Sequence, residues 1–152
     1  MASELRDVLA AIKTALETVN GSGVYTHNLS DGDRVVYGAE VDPTRVPRVN
    51  LFDVGWDSSH GARLGYFERV SNVSIIGYVG ASDDSNGSRF LAACDLLNDI
   101  CRSLESDRTL GGEVRDIIVA NSRAFDGAEW DLERLGAVEV VVTVNWSMKT
   151  GT

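Results

Sequence analysis

The chain has 152 residues, enough for one core and too few for two ordinary domains, so residues 1–152 are expected to fold as a single unit. With 43% hydrophobic residues it is too apolar for disorder, and no apolar run approaches the roughly 20 residues that span a bilayer. Fourteen Lys and Arg against 23 Asp and Glu give a formal charge of -9, which argues against sequence-independent adhesion to nucleic acid, a mode that needs cations on phosphates.

In chain order, residues 3–19 place Leu5, Val8, Leu9, Ile12, Ala15, Leu16 and Val19 at helical spacing, with Ser3 as cap and Asn20-Gly21-Ser22-Gly23 as stop. Val24 to Asn28 and Arg34 to Tyr37 read as short strands around the turn Asp31-Gly32-Asp33. A strand is expected from Pro47, with Val49, Leu51 and Asp53 alternating against Asn50, Phe52 and Val54. A polar connection, Asp57 to Gly65, then leads into Tyr66 to Val79. Fourteen extended residues would reach about 46 Å, so part of this hairpin should project beyond the sheet or bend.

Turn formers from Ala81 to Gly87 precede the strongest helix, in which Ser88 is the expected cap and Phe90, Leu91, Cys94, Leu97, Cys101 and Leu104 the shared face. Val114 to Val119 is the next strand, and Asp126 to Leu135 a loop or helical turn. In the last strand Val138, Val140, Val142, Val144 and Trp146 point one way and Glu139, Val141, Thr143 and Asn145 the other. This order implies an α+β domain: a mostly antiparallel, mixed sheet with two main helices on one face and the other face thinly covered.

Chemistry is scarce. His27 and His60 are the only histidines, and Asp57-Ser58-Ser59-His60 collects acid, nucleophile and base too closely in one loop to converge on a reacting atom. Cys94 and Cys101 lie about 10 Å apart along one helix, beyond disulfide reach, and read as small buried hydrophobes without a zinc-site partner. Asp83-Asp84-Ser85-Asn86-Gly87 is out of register with a calcium loop, and Cys94 stands where its closing glutamate belongs. No glycine pattern supports a nucleotide site, so no cofactor, metal or catalytic residue is expected. The start MASELRDVLAA lacks the basic, apolar pattern of an export signal, which points to the cytoplasm and discounts the sequons at Asn28, Asn72, Asn86 and Asn145. Charge is even along the chain, and 12 of the 14 bases are arginine, a cation suited to interfaces, although a GC-rich genome would produce the same bias.

The opening helix Leu5 to Val19, the strand Val46-Pro47-Arg48-Val49-Asn50-Leu51, the long strand Val70 to Val79, the helix Phe90 to Leu104 running into Asp107-Arg108-Thr109-Leu110-Gly111-Gly112, and the closing valine strand together resemble the tail terminator proteins of long-tailed bacteriophages, similar to the minor tail protein U group. The likeness is one of layout across nearly the whole chain. It implies a non-enzymatic virion protein, assembled in the host cytoplasm, that forms a ring, typically of six, on the finished tail tube. Its implied partners are other copies of itself, the major tail tube protein, the head-tail connector or neck proteins, and double-stranded DNA that passes through without being held. On this basis Asp57, Ser58, Ser59, His60, Arg63 and Tyr66 are candidate subunit or tube contacts, and Asp31, Asp33, Asp83 and Asp84 candidate lumen-facing acids. The alternatives are another neck or head-completion connector, or a small cytoplasmic enzyme or ligand-binding α+β domain using His27 or His60.

Overall fold

The computed structural model describes residues 4–38, 44–56, 62–63, 66–80, 87–126 and 135–149. The chain is α+β: two helices and a mixed sheet in the order α1 (Leu5–Leu16), β1 (Val35–Tyr37), β2 (Arg48–Trp56), β3 (Ala62–Arg63), β4 (Tyr66–Gly80), α2 (Ser88–Glu105), β5 (Asp116–Asp126) and β6 (Leu135–Lys149). The strands lie in the order β1-β2-β4-β6-β5, with β3 added to one end of β4. Only the β1–β2 pairing is parallel; β2–β4, β4–β6, β5–β6 and β3–β4 are antiparallel.

The alternation in β6 sets the architecture. Val138, Val140, Val142 and Val144 are fully buried and Trp146 nearly so, and they share a face with Val73, Ile75 and Val79 of β4, Val49 and Leu51 of β2, and Ile117 of β5. Both helices pack on this face. Helix α1 contributes Val8, Ile12 and Leu16, four residues apart on one stripe. Its N-cap position is held by Glu4, whose backbone N–H is donated to the Asp7 carboxylate at 3.1 Å, one residue after the expected Ser3, which lies outside the described residues.

Helix α2 is rotated from the expected face. Phe90 and Leu91 are exposed and the two cysteines half-buried, while Ala93, Leu96, Ile100 and Leu104 are buried. Two glycines give the reason. A Cβ on Gly136 would meet the Arg89 carbonyl and lie 3.0 Å from Ala93 Cβ; one on Gly77 would lie 2.7 Å from Val138 Cγ2 and 3.1 Å from Leu96 Cδ2. The helix seats where the sheet has no side chains, with Ala93, a small residue, against Gly136 and the larger Leu96 and Ile100 filling the space over Gly77. The helix also begins one residue differently: Gly87, at φ 72°, is the N-cap and Ser88 the first helical residue.

Two expected strand details change. Val24 to Asn28 forms no strand, only a single bridge between Asn20 and Asn28, because the Thr26 and His27 amides are engaged by the Asp99 carboxylate instead of a ladder. In β2 a bulge between Leu51 and Asp53 turns Asp53 outward opposite Ser74 and brings Val54 inward opposite Val73, reversing the expected alternation after Leu51.

The second sheet face is less covered, as expected, except at one end. There Ile76, Tyr78, Phe125, Leu135 and Ala137 form a small buried cluster with Val46 against it, and the Arg123 guanidinium stacks 4.5 Å from the Phe125 ring centre. Burial pushes the Tyr78 phenol above its usual value. Elsewhere that face presents Asn72, hydrogen-bonded to Thr143 at 3.0 Å, and the ion pair Arg123–Glu139 at 3.4 Å.

Candidate interaction surfaces

The long pair β4–β6 stays in register from Tyr66–Lys149 to Gly80–Leu135. Strand β2 ends opposite Ser71 and β5 begins opposite Asn145, which is itself paired with Val70. Residues 66–69 and 146–149 therefore project past both flanking strands by about four residues, or about 13 Å. Among the described residues only β3 accompanies them, through Ala62–Phe67 and Arg63–Tyr66. This tongue is the projection expected from the length of the strand, and Arg63 and Tyr66 sit on it as neighbours across strands. Asp57, Ser58, Ser59 and His60 lie outside the described residues.

Its base is anchored in the core. Trp146 is buried on the helix side of the sheet and donates its indole N–H to Ser71 Oγ at 2.8 Å, satisfying the two polar groups of an otherwise apolar layer. Arg115 pairs with Glu68 at 2.8 Å, tying the start of β5 to the tongue.

The candidate lumen acids fall elsewhere. Asp31 and Asp33 are exposed in the turn before β1, beside the end of the sheet where β2 begins, and Asp33 pairs with Arg45 at 3.1 Å. From Tyr66 to the row of Tyr78 and Arg48 is twelve residues of β4, so this turn and the tongue are about 40 Å apart, at opposite ends of the sheet. The structure does not bring the two candidate sets together. Asp83 and Asp84 lie outside the described residues.

The polar groups that sequence reading passed over are internal. Asp99, fully buried in α2, accepts the Thr26 backbone N–H at 3.1 Å and the His27 backbone N–H at 2.8 Å, while Arg102 donates to the Val24 carbonyl at 2.8 Å. His27 Nε2 lies 3.2 Å from the Ala92 carbonyl. The side chain considered as a proton shuttle thus rests on backbone in a pinned loop, and His60 lies outside the described residues. The only sequence signal for this pin was an acid on the helix face that Leu96 and Ile100 also occupy. Burial, with Glu105 adding to it and a hydrogen bond from Ser122 opposing, pushes the Cys101 thiol up, which disfavours the reactive thiolate. Among the described residues no three His, Cys, Asp or Glu side chains gather as a metal site, and no helix is long and apolar enough to cross a membrane.

One open cleft of about 920 Å³ runs between α1 and the β1/β2 edge, lined by Glu4, Arg6, Asp7, Tyr37, Phe52 and Asp53 among others. The ring of Tyr37 lies under Lys13 Nζ at 5.8 Å, and burial raises its phenol pKa. Its rim is acidic and aromatic. No protein-family model matches this chain, and no curated protein matches it.

Proposed function

We propose that this chain is the ring-forming subunit of a phage tail terminator, which ends growth of the tail tube and provides the surface for joining to the head. The observation that carries the reading is the tongue. A core-anchored strand pair that projects about 13 Å beyond the flanking strands, with only the two-residue β3 beside it among the described residues, is a poor design for an isolated domain and a good one for a subunit that is covered by neighbours or by the tube. The resemblance in layout, the partly bare sheet face and the acidic surface support the same reading.

On this reading the work is surface capping. One side of the ring matches the last layer of tube subunits and the other does not, so the next tube subunit finds no seat. The tongue, with Arg63 and Tyr66, is the element proposed to meet the tube or the neighbouring subunit. Acids lining the bore would deny DNA the phosphate contacts that slow its passage. Asp31 is the stronger lumen candidate of the two that are described, because the charge of Asp33 is already offset by Arg45.

The test is removal of the gene from the phage that carries it, followed by imaging of the particles. Overlong tails without heads are the expected result. Tails of normal length detached from heads would transfer the chain to a head-completion or connector role, and normal particles would remove both readings.

A further inference from the structure

The two edges of the sheet are complementary in direction, level and shape. Strand β4 is antiparallel to β2 and β6, and β6 to β5, so β2 and β5 run in opposite senses at opposite edges. A copy displaced sideways without being turned over therefore brings its β5 antiparallel to the β2 of the next. Level agrees as well. Strand β1 covers β2 only from Val49 to Leu51, and among the described residues no strand covers the edge from Phe52 to Trp56. Traced through the registers, one cross-strand row holds Gly55, Asn72, Thr143 and Ile118, and the next row on the same face holds Asp53, Ser74, Val141 and Asn121. The open stretch of β2 and the first half of β5 thus stand at the same height.

Both edges are bulged within one residue of that height, β2 between Leu51 and Asp53 and β5 between Val119 and Asn121. A bulge bends its strand. The bend in β5 falls where a straight strand would otherwise run into β1 of the neighbour. In the row of Gly55, Ile118 is 45% exposed, and a Cβ built on Gly55 meets nothing within 4 Å, so a large apolar side chain faces an empty position. Beyond the bulge Arg123 lies one same-face position from Asn121, within diagonal reach of the exposed Asp53 carboxylate of the facing edge.

We infer that a second copy of this chain docks on the open β2 edge through its β5 strand, Ile117 to Val119 pairing antiparallel with Val54 to Trp56, in a head-to-tail contact that continues the sheet from subunit to subunit. A heterologous contact of this kind, repeated, closes into a ring or runs on as a filament. The inference rests on the ring reading above and names the contact that reading leaves open.

Cross-linking tests it in the full chain with Cys94 and Cys101 replaced by Ser. Directly opposed Cβ atoms in an antiparallel pair are about 4.5–5.5 Å apart, near enough for a disulfide with small adjustment. The Gly55→Cys, Ile118→Cys double variant, oxidised at high protein concentration, should run on a non-reducing gel as a ladder of dimers, trimers and higher species that reduction collapses. Each single variant should stay monomeric. A dimer from Ile118→Cys alone would mean that β5 pairs with itself about a two-fold axis, which overturns the head-to-tail contact. Monomer throughout overturns it too. Asp53→Cys with Asn121→Cys, two rows along on the same face, repeats the test should the first pair fold poorly, and must give the same ladder. Particle imaging judges the terminator reading separately: overlong tails without a ladder would leave that reading standing and remove only this contact.

Discussion

The two faces of strand β6 teach opposite lessons. On one, Val138 to Trp146 sit under two helices with glycine seats that accept no extra atom; on the other, Glu139 and Thr143 carry paired polar groups in partial contact with water. The same strand is thus core and surface at a spacing of one residue. Stability is concentrated on the helix side, and the opposite side, with the two edges, is left available for partners.

That division can be broken most severely at Trp146. Trp146→Ala removes a buried ring and leaves Ser71 without its donor, and should cost about 4 kcal/mol in urea denaturation. Gly136→Ala should cost about 3 kcal/mol by lifting α2 from its seat at Arg89, whereas Gly55→Ala, on the open edge, should cost less than about 1 kcal/mol. Equal losses at the two glycines would refute the contrast between seat and edge. Asp99→Ala removes the buried carboxylate that accepts the Thr26 and His27 amides and should cost about 2 kcal/mol, with hydrogen exchange accelerated first at those two residues. Thr143→Ala, on the more open face, should change stability by no more than about 0.5 kcal/mol.

The smallest expected effect is a pH response at the turn after α2. Asp107 accepts the Thr109 hydroxyl at 2.7 Å and the Gly111 and Thr109 amides at 2.8 and 3.0 Å, and these bonds hold its carboxyl below the usual 3.8. A depressed folded value means that the contribution is present above about pH 4 and is lost as pH falls through the folded value. NMR titration should place the Asp107 midpoint below 3.8, and Thr109→Ala should raise it toward that figure.

Much of the fold was legible because period and burial coincide in its long elements. The valines of β6, the stripe of α1 and the proline-led start of β2 each repeat one pattern over several residues, and a repeated pattern survives any single exception. The elements that misled are those where a neighbour decides. Leu91 and Phe90 look like core residues of α2 and are exposed, because Gly77 and Gly136, distant in sequence, select the stripe that can approach the sheet. The bulge after Leu51 has no local marker, and it reverses Asp53 and Val54. The tongue was legible as excess length in the Tyr66 strand, although its partner there is β6 and not β2.

By itself the sequence determined the class of the molecule: an α+β fold with a net charge of -9, alternating strands and two amphipathic helices, because these depend on composition and local period. Only the tertiary structure decided which stripe of α2 is buried, that Asp99 and not a ladder holds residues 24–28, and that β2 and β5 stand at opposite edges at one level. Those outcomes depend on groups far apart in the chain meeting at van der Waals distance, and no local pattern encodes such a meeting.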